Sequence, residues 1–103
     1  MQYGLKPETV ARIRGVFARH PEIVRAILYG SRAKGNYRVG SDIDLCLEGD
    51  ALTLTQLLKI ENELDDLLLP YKIDVSLFHM LDNPDLVDYI RRVGVTFYDG
   101  RQV

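Results

Sequence analysis

The sequence predicts an α+β domain in which helices flank a small mixed β-sheet. Three observations carry this. Segments of helical and of two-residue periodicity follow one another in the order helix, strand, loop, strand, helix, strand, helix. The first two strand segments are joined only by a polar loop, so they can pair antiparallel. The second and third enclose a helix, which suits a parallel pair joined by a right-handed crossover.

The first helix is read from "KPETVARIRGVFARHP", where Val10, Ile13, Val16 and Phe17 recur at helical spacing. Pro7 fits its first turn and His20-Pro21 ends it. Ile23 to Tyr29, rich in branched side chains and closed by Gly30, reads as a strand. Gly35, Asn36 and Gly40 mark the following polar stretch as a loop, with room for one helical turn over Ser31 to Gly35. In "SDIDLCLEG" the alternation puts Asp42, Asp44 and Cys46 on one face of a strand and Ile43, Leu45 and Leu47 on the other. A helix over Thr55 to Leu68 presents Leu57, Ile60, Leu64, Leu67 and Leu68 to the core, and Pro70 closes it. "YKIDVSLFH" alternates again, with Asp74, Ser76 and Phe78 opposite Ile73, Val75 and Leu77. The last helix opens on an Asn83 cap with Pro84 and ends at Gly94, and "VTFYDG" reads as a short edge strand.

A chain of 103 residues is read as one domain, residues 1–103, with a core of its own and little to spare for a second substrate-binding module. Apolar residues at 47% and charged residues at 27% describe a globular chain. No apolar run reaches the roughly 18 residues a membrane span needs, and "MQYGLKPE" lacks the apolar stretch of a secretory signal, so a cytoplasmic location is expected. One cysteine excludes an internal disulfide framework, and a net charge of −2 gives no footprint for direct nucleic-acid binding.

Chemistry concentrates in "YGSRAKGNYRVGSDIDL". Asp42 and Asp44, two apart on a strand, project from one face about 7 Å apart along the chain. Asp74 sits at a similar depth in the third strand, so a parallel pairing makes the three carboxylates converge. Clustered anions repel one another unless a cation intervenes, and hard oxygen donors with positions left for water and phosphate suit Mg²⁺. Gly30 lets the backbone turn sharply and approach a ligand, and Ser31 offers a hydroxyl and an N–H to phosphate. Arg32, Lys34 and Arg38 can neutralise phosphate oxygens, and Ser41 can cap the strand or bind near the metals. Together these make a site for metal-dependent phosphoryl or nucleotidyl transfer. Cys46 reads as a small core residue, His20 and His79 as element ends, and Glu61 to Asp66 as a solvated helix face.

"GSRAKGNYRVGSDIDL" resembles the Gly-Ser, ten residues, Asp-x-Asp signature of the nucleotidyltransferase superfamily that includes DNA polymerase beta. "IDVSLF" is similar to the strand carrying that family's third carboxylate, and the length resembles the minimal nucleotidyltransferases, the MntA-like antitoxins of two-gene modules. The resemblance implies a polymerase beta-like palm fold. It implies that Gly30 and Ser31 contact a nucleoside triphosphate, ATP in the antitoxins, and that Asp42, Asp44 and Asp74 bind two Mg²⁺ ions, with Mn²⁺ as a substitute. It also implies AMP transfer to a hydroxyl, a tyrosine, of a small helical HEPN-type toxin or related substrate-binding protein, and so an antitoxin. The competing expectation is a binding module that neutralises its partner by complex formation alone. Transfer to a small-molecule hydroxyl such as an aminoglycoside is disfavoured, and homodimer and hetero-oligomer stay open.

Overall fold

A computed structural model describes residues 1–102. Its sheet has four strands, β1 (Arg25–Tyr29), β2 (Ile43–Glu48), β3 (Ile73–Leu77) and β4 (Val95–Asp99), in the order β3-β2-β1-β4. β1 runs antiparallel to both β2 and β4, and β2 runs parallel to β3. The mixed sheet read from the connections is therefore the sheet observed. "VTFYDG" forms the β4 edge, and a register irregularity at Ala26/Ile27 lets β1 accommodate it.

Among the described residues, four α-helices accompany the sheet: α1 (Pro7–Ala18), α2 (Ser31–Lys34), α3 (Leu54–Asp65) and α4 (Pro84–Val93). Pro7 occupies the start of α1, where a missing N–H costs nothing. Thr53 caps α3 by accepting from the Gln56 N–H at 3.1 Å, and Asn83 caps α4 by accepting from Asp85 and Leu86. Several boundaries differ from the sequence reading, most at the end of α3 and the start of β1. α3 stops at Asp65 rather than Leu68, because Pro70 disfavours helical backbone at Leu69 and the chain must reverse. Leu68 makes that reversal at φ 55°, and its side chain, assigned to the core by periodicity, is 87% exposed. β1 starts two residues later than Ile23, since Ile23 still closes a turn onto the His20 carbonyl.

The period-two strands divide the apolar residues between two layers. Ala26, Leu28, Ile43, Leu45, Leu47, Val75, Leu77 and Phe97 face α1 and α3, where Val10, Ile13, Phe17, Ile60 and Leu64 complete the main core. On the other face Ile27 and Cys46 meet only Ile90 of α4, with Tyr29, Phe78, Leu81 and Leu86 around them. Burial pushes the Cys46 thiol up to about 11, as befits the small core residue read from the sequence. His20, expected only to end a helix, is buried as a fastener: its Nε2 faces the Glu63 carboxylate at 3.1 Å and its Nδ1 faces Gln56 Nε2 at 3.2 Å.

Phe97 is the largest single contributor on the β4 side. Its ring meets Tyr3 at 5.9 Å and Phe17 at 6.5 Å, and the Arg14 guanidinium lies 5.3 Å above it. Phe97→Ala is expected to cost about 3–5 kcal/mol in urea unfolding, a large part of the roughly 5–15 kcal/mol such a domain has.

Candidate active site

β2, which carries Asp44, is central in the sheet, so Asp44 to Leu47 are paired on both sides. Asp44 stands opposite Asp74 on β3 and opposite Tyr29 on β1. Because paired residues share a face, Asp44, Asp74 and Tyr29 all look towards the α4 side, at the end of the sheet where β1 leaves and β2 and β3 begin. Parallel strands lie about 4.8 Å apart, so the Asp44 and Asp74 backbones are immediate neighbours.

The electrostatics follow from this placement. Burial first, then the negative charges of Asp74 and Asp42, push the Asp44 carboxyl above the ordinary aspartate value, against a weaker pull from Lys72. Burial first, then the negative charges of Asp44 and Asp74, raise the Tyr29 phenol. Asp42 precedes β2 and is exposed, as is Asp74. The structure thus sets two carboxylates side by side with a third close enough to be felt. It does not form the ready three-way convergence expected from the spacing: among the described residues no three acid, imidazole or thiol groups converge on one ion position. Asp42 lies just before β2, so strand pairing does not aim its side chain at the other two. The donor set still fits a hard divalent cation, being all carboxylate and hydroxyl oxygen.

The turn after β1 is built against this pair. Gly30 has φ 78° and ψ −158°, a conformation closed to side chains, and a Cβ there would run into Asp44 Oδ2. The Gly-Ser backbone therefore touches the acid directly, across fourteen residues of sequence. Ser31 begins the single helical turn of α2, closed by Lys34 N–H to Gly30 O at 3.1 Å and Gly35 N–H to Ser31 O at 2.9 Å. Lys34 and Arg38 are exposed on this loop, and among the described residues neither has an acidic partner.

Two candidate residues are placed differently from their expected roles. Arg32 is 3% exposed, with Nε and Nη2 donating to the Ser41 carbonyl at 3.0 and 2.9 Å and Nη1 to the Tyr3 carbonyl at 2.8 Å. With its donors committed to backbone and its planar group lying over Tyr37 and Tyr71, it is not disposed as a phosphate contact. Ser41 likewise works within the loop. Its hydroxyl accepts from the Arg38 N–H at 2.8 Å, and its own N–H donates to the Arg38 carbonyl at 3.0 Å. Sequence reasoning passed over Tyr29 and Ser76, both on the acid face. Tyr29 meets Tyr89 of α4 edge to face, centroids 6.4 Å apart, which ties that helix to the floor of the site. The Ser76 Oγ, opposite Cys46, is buried, and among the described residues no partner meets it in hydrogen-bond geometry, although the Tyr29 phenol and the Cys46 thiol lie near enough to feel it. Strand parity already sets Ser76 on the Asp74 face, and the antiparallel pairing of β1 with β2 would have added Tyr29; the Tyr89 contact depends on how α4 docks.

A mixed sheet with register-paired aspartates and a glycine turn pressed on one of them is a nucleotidyltransferase arrangement, and the sequence agrees. The chain belongs to the family described as polymerase beta nucleotidyltransferase, whose model matches residues 11–102. Solved structures share its fold. One is a toxin-antitoxin with AMP-PNP, at TM-score 0.70 and 18% identity over 95% of this chain and 77% of that one. Another is the toxin-antitoxin MntA-HepT, at TM-score 0.68 and 16% identity over 94% and 75%. No curated protein matches the sequence.

Proposed function

We propose that the chain transfers AMP from ATP to a hydroxyl, a tyrosine, of a HEPN-type partner protein and so acts as the antitoxin of a two-gene module. The observation that carries the proposal is the register pairing of Asp44 with Asp74, with the Gly30 turn packed against Asp44. Family membership supports the reaction class, and likeness of fold to toxin-antitoxin structures, one holding AMP-PNP, supports the nucleotide and the kind of partner.

In this reading the Gly30-Ser31 backbone receives the triphosphate, and the exposed Lys34 and Arg38 neutralise its outer oxygens. Asp74 orients the attacking hydroxyl towards the α-phosphorus. The acceptor oxygen bonds to that phosphorus, the bond to the bridging oxygen breaks, pyrophosphate leaves, and the hydroxyl proton passes to solvent. Mg²⁺ held by Asp44 and Asp74, with Asp42 as a further ligand, would lower the pKa of the attacking hydroxyl and offset charge on the leaving pyrophosphate. The chain's own part is to set the two halves, phosphate turn and acid pair, in contact.

The test is incubation with the co-expressed neighbouring protein, Mg²⁺ and labelled ATP, GTP, CTP or UTP, beside Asp44→Asn. Label on the partner from ATP only with intact Asp44 supports the proposal. Undiminished neutralisation by Asp44→Asn without label favours binding alone. Separately, Mg²⁺ with ATP at about a hundred times its Kd is expected to stabilise the chain by about 2.7 kcal/mol, a rise of roughly 10–20 °C in Tm. No rise at millimolar ligand would count against a nucleotide site in the isolated chain.

A further inference from the structure

We propose that Arg32 is a positioning residue that ties the two ends of the ten-residue loop together, and thereby sets where Ser31 stands relative to Asp42. Ten residues separate the Gly-Ser turn from the Asp-x-Asp pair; Arg32 is the first of them and Ser41 the last. The Arg32 fork closes on the Ser41 carbonyl through two N–H groups, at 3.0 and 2.9 Å. The loop's span is thus fixed by its own end residues, while positions 34–40 between them are exposed.

The surroundings show why arginine is used. A buried cation is costly unless its N–H groups are satisfied, and Arg32 has no acidic partner among the described residues. It is held instead by three hydrogen bonds to two carbonyls, the second being that of Tyr3 at 2.8 Å, and by the faces of Tyr37 and Tyr71, centroids 5.4 and 4.9 Å away. Lysine has neither the fork nor the planar face for this. The inner tie between Arg38 and Ser41 adds a second rung to the same closure.

The kinetic part of the test rests on the transferase reading; the structural part does not. In Arg32→Lys, amide hydrogen exchange at Arg38 and Ser41 is expected to quicken while Leu45 and Leu47 in β2 stay protected. Misplacement of the acid pair by a fraction of an ångström is expected to lower kcat by about tenfold or more, equally for every accepted nucleotide, with KM nearly unchanged. Arg32→Met should lose more, lysine recovering part through a single bond. Tyr71→Leu removes only one flanking ring and serves if the Arg32 variants fold poorly; its smaller loss of kcat should not add to that of Arg32→Lys. Arg14→Gln removes another arginine clamp, one that donates to the Phe97 carbonyl at 2.8 Å, and should lower Tm without changing kcat. A raised KM that grows with the number of phosphates, with kcat and exchange unchanged, would make Arg32 a phosphate contact and overturn the proposal. If the wild-type chain transfers no label, the transferase reading fails; exchange then decides the clamp alone, and unaltered exchange in both Arg32 variants would sink it.

Discussion

Asp44→Asn is expected to lower nucleotidyl transfer by about a thousandfold while the chain stays folded. Asparagine keeps the size and the strand position, so the contacts with Asp74 and Tyr29 across the sheet survive, and only the charge is lost. The surroundings act on that charge. Burial and two neighbouring anions raise its carboxyl, so the folded chain holds this proton more tightly than the unfolded one. Between the ordinary aspartate value and the raised one the native state binds more protons, and metal-free stability falls as pH rises through that window. Asparagine removes this penalty. In EDTA at neutral pH the variant should melt at or above the wild-type temperature, and its Tm should fall less with pH. Calorimetry across pH 4–8 with a parallel transfer assay checks both. A variant that is inactive because it has unfolded would contradict the argument.

Gly30→Ala is the second large effect. It meets two obstacles at once: backbone at φ 78° and ψ −158° costs a side chain about 1–3 kcal/mol, and the new methyl group falls on Asp44 Oδ2. The carboxylate or the turn must move, and a shift of about 1 Å at reacting groups is worth about a hundredfold in rate. Gly35→Ala is the informative comparison. Gly35 also has positive φ, at 86°, but a Cβ there has open space. It should share the loss of Tm, about 4–8 °C for each kcal/mol in a domain of this size, while keeping most of the transfer activity. Equal losses of activity in the two variants would mean that turn geometry, rather than contact with Asp44, is what the site requires.

The acid pairing was legible because it depends on parity and connectivity. Strand alternation placed Asp44 and Asp74 on definite faces, and the helix between their strands implied a parallel neighbour. The loop was legible only in outline. Arg32, Lys34 and Arg38 are alike as a string of cations, yet one is buried and two are exposed. What separates them is the Tyr3 carbonyl and the Tyr71 ring, which arrive from distant parts of the chain and leave no local pattern. Asp42 shows the opposite limit. Periodicity assigned it a face, but it lies just outside the strand, where backbone pairing no longer aims its side chain. The end of α3 failed for a related reason: Leu67 and Leu68 continue the apolar stripe, but the stripe does not register the turn that Pro70 requires.

The two unequal layers on either side of the sheet bear on how such a chain can change. The carboxylates sit on the side where Ile27, Cys46 and Ile90 form a thin apolar patch beneath α4. Most of the stabilising burial lies on the opposite side, with α1 and α3. Substitutions in α4 and the rim of the acid face should therefore cost the fold less than substitutions beneath α1 and α3. The sheet acts as a partition between a thick layer that must keep its volume and a thin one, on the acid side, that carries little of the burial.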